Sequence, residues 1–118
     1  MKKPSYHAVI REPGPAWDAD RSMREQAGWD EHAAFMDALA AEGFVVLGGP
    51  LGDARGHALH IVDAADEQEV RRRFAEDPWS DHMLRIARID LWTILLEAPT
   101  KLAVCGLPSW AGLITSAP

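Results

Sequence analysis

A single cysteine, Cys105, is all the thiol chemistry in this chain. It excludes an internal disulfide framework and fits a reducing cytoplasm. Far in sequence from any recognisable base, it makes a poor nucleophile. Basic charge is also scarce: 12 Lys and Arg against 18 Asp and Glu leave a net charge of −6. That balance removes the basic face from which nucleic-acid binding draws most of its affinity. The one basic run, Arg71-Arg72-Arg73, is hemmed in by Glu67, Glu69 and Glu76 and reads as a solvated helix face. No apolar run approaches a membrane span, and Met1-Lys-Lys-Pro-Ser is not followed by the apolar stretch of a signal peptide. No Cys/His cluster has zinc spacing. His57 and His60, three apart on an extended segment, face opposite ways and do not share a metal. The expectation is a cytoplasmic protein without metal or cofactor, with neither nucleic acid nor membrane as a partner.

What is present suits one globular domain: 118 residues, 47% apolar and 25% charged. Ser5 to Arg11, closed by Glu12-Pro-Gly-Pro, reads as a strand. From Glu12 to Gly28 the chain has no clean period, and a long loop with room for one helical turn is expected. Trp29 to Glu42 follows as a helix stopped by Gly43. Phe44 to Leu47 is a second strand, ended by Gly48-Gly49-Pro50, and His57 to Val62 a third. Asp66-Glu-Gln-Glu69 is a capping-box variant that opens a second helix. Val70 and Phe74 supply its apolar contacts, and it stops before Pro78. Leu84 to Leu96 is a long strand candidate. The order is βαββαβ, which predicts a ferredoxin-like α+β domain: an antiparallel sheet with both helices on one face. The domain spans residues 1–97, with its core over 5–97, and a tail of undetermined structure covers 98–118. Ile89, Leu91, Trp92, Ile94, Leu95 and Leu96 send apolar groups to both sides of the last strand, so the bare sheet face calls for a second copy of the chain. The tail folding back over that face is the alternative.

The chemistry centres on His32. At helical spacing it shares a face with Phe35, Met36, Leu39 and Ala40. An imidazole on an inward face needs a polar partner. A backbone carbonyl would make it a plain core histidine; a carboxylate would orient it for proton transfer. Asp77, where the second helix breaks into the Asp77-Pro78-Trp79 turn, is the best candidate acid, its alternative role being to cap that turn. Trp29, Met36 and Trp79 would supply apolar walls. Gly49 and Pro50 would let backbone approach a ligand, and Arg11 and Arg88 are candidates to hold an anionic group. His82 could join the site or sit in water.

His32 with Phe35, Met36 and Leu39, then Gly43, Gly48-Gly49-Pro50, Asp77-Pro78-Trp79 and Trp92, together resemble the YCII-related family over about residues 5–97. The resemblance implies a ferredoxin-like fold dimerised into an α/β barrel, with His32 and Asp77 in the active-site cleft. It also implies metal-independent lyase- or isomerase-like proton transfer on small, often cyclic, molecules. The 12–28 loop, longer than in the simplest members, and the tail depart from the family pattern. On this reading the protein is a homodimer with a small-molecule ligand between the first helix and the sheet. His32 is the general acid or base, since a free imidazole titrates at about 6.5, and Asp77 orients it. The alternatives are a non-catalytic ligand-binding or regulatory subunit, and a pure assembly module. The 12–28 loop is expected to border the cleft and to close over it as a lid with Trp17 or Trp29.

Overall fold

The computed structural model describes residues 3–52 and 56–99. Strand β1 (Tyr6–Pro13), helix α1 (Trp29–Glu42), strands β2 (Val45–Pro50) and β3 (Ala58–Asp63), helix α2 (Glu67–Phe74) and strand β4 (Leu84–Leu91) follow in βαββαβ order. One 3-10 turn, Met23–Glu25, lies between β1 and α1. The strands form a single antiparallel sheet in the order β2-β3-β1-β4, consistent with a ferredoxin-like α+β fold. No helix among the described residues is long and apolar enough to cross a membrane. Residues 100–118, which include Cys105 and most of the expected tail, lie outside the described residues.

Two-residue periodicity sets the inner face of the sheet. His7, Val9 and Arg11 of β1 are buried, and Val9 joins Leu39, Phe44, Val45, Val62, Val70 and Phe74 in one core. Helix α1 ends on Gly43 at φ 86°, and the Phe44 amide returns to the Leu39 carbonyl at 3.0 Å, a Schellman closure that drops Phe44 into that core. Helix α2 opens as its sequence foretells: Asp66 accepts from the Glu69 amide at 2.8 Å, and Glu69 accepts from the Ala65 amide at 2.6 Å.

Three expectations change. Gly48-Gly49-Pro50 belongs to β2 instead of following it, because an edge strand tolerates a proline that donates nothing to the ladder. Strand β4 ends at Leu91, short of the expected Leu96. Within it the pattern alternates once Ala87 is set aside as the extra residue of a bulge, since Arg88 pairs with Ile10 and Ile86 with Arg11. Leu84, Ile86, Ile89 and Leu91 then share the inner side, whereas Arg85, Arg88 and Asp90 face outward. The last strand is therefore not apolar on both sides. Outer apolar groups come instead from Ala8 and Ile10 of β1, Leu59 and Ile61 of β3 and Leu47 of β2, placed there by register.

The 14–28 segment is held along its length. Its start is tied by the Gly14 amide to the Met83 carbonyl at 2.8 Å and the Ala16 amide to the His82 carbonyl at 2.7 Å. Buried Gln26 donates to the carbonyls of Asp18 at 2.7 Å and Arg21 at 3.0 Å, and accepts from the Asp18 amide at 3.0 Å. Trp17, Met23 and Trp29 pack on buried Trp79, Met83 and Leu84. These contacts tie the segment down as a strap.

Candidate functional site

Every polar contact at the centre converges on the Asp77 carboxylate, whose side chain is fully buried. Asp77 follows α2 by three residues; its amide meets the Phe74 carbonyl at 3.1 Å and its own carbonyl receives the Ser80 amide at 2.8 Å. Within that turn the Trp79 amide donates to Asp77 Oδ1 at 2.9 Å. His32, one turn into α1, places Nδ1 2.9 Å from both carboxylate oxygens. Arg11, on the inner side of β1, brings Nη2 to 2.8 Å from Oδ2. The two sequence alternatives for Asp77 are thus both realised, because one carboxylate has lone pairs enough to hold the turn and the imidazole together.

Burial alone would push the Asp77 carboxyl up, but the His32 hydrogen bond, the Trp79 amide and the Arg11 guanidinium outweigh it and hold the group below its ordinary range. Burial draws the Arg11 guanidinium down, against the pull of Asp77. A carboxylate that stays ionised accepts, so the proton of neutral His32 sits on Nδ1 and the lone pair on Nε2. The ring lies flat on Trp79, centroids 4.1 Å apart and planes 8° from parallel. Trp79 is itself fixed by its indole N–H, which donates to the Ala27 carbonyl at 2.8 Å. Ring position, tautomer and tilt are therefore all determined by neighbours.

His32 forms part of the wall of a cleft of about 300 Å³ between α1 and the inner side of β2 and β3. Trp29, Met36, Gly49 and Pro50, each expected near a ligand, line it too, and Met23 brings the strap to its border. Three expected residues stand elsewhere. Trp79 is a shelf beneath His32, 1% exposed, and not a cleft wall. Arg11 cannot serve as the expected free anion clamp, because alternation on β1 turns it inward to Asp77. Arg88 lies exposed on the outer side of β4, ion-paired with Asp90 and on the opposite face of the sheet from the cleft. His82 is exposed and bonds locally to the Ser80 carbonyl at 3.1 Å. His57 is exposed and His60 buried, as their spacing requires.

His60 is the residue that sequence reasoning passed over. It lies on the inner side of β3, lines the cleft, and pairs across the ladder with Gly48. A Cβ at Gly48 would come within 2.8 Å of His60 Nδ1, so the bare glycine makes room for the ring. A glycine on the strand paired with a histidine strand was the available signal, but register is needed to match the two.

A family model described as a YCII-related domain matches residues 6–89. No curated protein and no solved structure matches the chain.

Proposed function

The chain belongs to the YCII-related domain family, and from that premise we propose that it is a homodimeric small-molecule enzyme of lyase or isomerase type, with His32 moving the proton. The observation that carries this reading is the tethered imidazole: Nδ1 is bound to an ionised, buried carboxylate, and Nε2 has no partner among the described residues at the edge of a ligand-sized cleft. Asp77 orients the ring and offsets the positive charge that develops as Nε2 takes a proton from the ligand. Arg11 keeps Asp77 ionised, so the proton stays on the imidazole and is returned from it to a second ligand atom. An isomerisation needs no more than this. In an elimination the same nitrogen delivers the proton to the leaving group.

The second copy is best accommodated on the outer sheet face, where Leu47 is 68% exposed beside Ala8, Ile10 and Leu59. The test is a thermal-shift screen of small cyclic acids, phenols, ketones and lactones, followed by incubation of each stabilising compound in heavy water with wild type and His32→Gln. Deuterium entering the ligand with wild type alone supports proton transfer. Stabilisation without exchange or turnover in wild type would sink the enzymatic reading in favour of a binding subunit.

A further inference from the structure

His60 poses a problem that the proton-transfer site does not solve. It is 6% exposed, and neither ring nitrogen has a hydrogen-bond partner among the described residues. An unpartnered buried imidazole costs stability, of the order a buried apolar side chain would avoid. The fold nonetheless makes room for it: Gly48 is bare opposite the ring, and Phe74 lies beside it with centroids 5.3 Å apart. The groups around it settle its charge. Burial first, then the Arg11 guanidinium and His32, push the imidazole down to about 3, and Asp77 only partly opposes them. The ring therefore presents one N–H and one lone pair at physiological pH, and no charge.

The rest of the lining points the same way. Among the described residues, neither lysine nor arginine lines the cleft, and the one carboxylate there is Asp37. The Arg11 charge is matched by Asp77 and lies behind His32. Anions thus meet no cation among the described residues, and Met23, Trp29, Met36, Val45 and Leu84 offer an apolar wall. Building on the proposed function above, we infer that His60 is a second ligand-contacting imidazole, and that the cleft selects small uncharged molecules bearing a carbonyl or hydroxyl oxygen. Both ring nitrogens lie buried, so contact with a ligand requires the ring to turn over the bare Gly48. A donor held there polarises a carbonyl while His32 works on the adjacent carbon.

The experiment uses the full chain labelled with ¹⁵N-histidine, and three probes of one shape: cyclohexanone, cyclohexanecarboxylate and cyclohexylamine. Ring signals of His60 and His32 are assigned from the spectra of His60→Phe and His32→Gln. Without a probe, His60 should keep a neutral-ring pattern between about pH 5 and 8. Cyclohexanone should move the signals of both rings, and bind more tightly than the carboxylate or the amine. His60→Phe and His60→Leu should weaken cyclohexanone roughly fivefold, the worth of one neutral hydrogen bond, and His60→Gln, which keeps an N–H, should weaken it less. Several results would overturn the inference. If His32 responds to cyclohexanone and His60 does not, the inference falls while the cleft reading stands. Tighter binding of the carboxylate, or unchanged ketone affinity in both apolar variants, also defeats it. If neither ring responds to any of the three probes, the inference and the cleft reading fall together.

Discussion

Replacing Arg11 by methionine tests the centre of this site most directly. The guanidinium and the Asp77 carboxylate meet at 2.8 Å with their side chains 1% and 0% exposed, so water cannot take the place of the missing cation. Removing one partner of such a pair costs about 3–5 kcal/mol, chiefly because the other charge is left buried. For a domain of this size that is a fall in Tm of at least about 12 °C. The pH dependence is the diagnostic part. In wild type the folded carboxyl lies below its ordinary value of 3.8. Its contribution is therefore complete above that value and fades as pH falls through the folded one. In Arg11→Met, burial still pushes the carboxyl up and the largest nearby positive charge is gone, so the group takes its proton at higher pH. The penalty against wild type should therefore shrink between pH 7 and pH 4. Urea unfolding across that range, with Arg11→Met, Asp77→Asn and the double variant, completes the cycle. The double variant should be less destabilised than the two singles added together, by about 2 kcal/mol. A penalty below about 1 kcal/mol, or one that stays constant from pH 7 to pH 4, would refute this account.

Gly48→Ala should cost about 1–3 kcal/mol in urea melts, because its Cβ meets His60 Nδ1; a neutral result would mean the ring moves freely. Gln26→Ala removes the three hydrogen bonds that hold the strap and should speed proteolytic nicking within residues 14–28, with little loss of global stability; unchanged protection would show that the tryptophan cluster holds the strap by itself. Leu47→Glu on the outer sheet face should give single-chain mass in light scattering where wild type gives two, and an unchanged mass would place any contact elsewhere. Asp66→Ala should lower stability by about 1 kcal/mol through loss of the α2 cap, measured by thermal melting, and no change would deny that cap its role.

The order of elements was legible in the chain because each carries its own local cause. The Glu12-Pro-Gly-Pro ending bounded β1, Gly43 stopped α1, Asp66 and Glu69 opened α2, and Pro78 forced the turn that holds Asp77. The stripe position of His32 marked it as an imidazole in need of a partner, and its acid was named from that turn and from the family resemblance. Strand ends were less legible. Proline in Gly48-Gly49-Pro50 reads as an ending unless one knows that β2 is an edge, and Leu91 to Leu96 looks continuous until the ladder stops. Three side chains were settled only by tertiary structure. Arg11 carries no mark of whether it holds a ligand or a buried carboxylate; inward alternation and the arrival of Asp77 from the turn after α2 decide it. Arg88 is turned outward by the bulge at Ala87, one extra residue that reverses a strand's facing and that no local pattern announces. His60 meets Gly48 only through the register of β2 on β3. Local propensity and periodicity are properties of neighbours along the chain, and they established the elements. Which charges are matched, and which imidazole stays bare, depends on neighbours across the sheet, and those exist only in the folded protein.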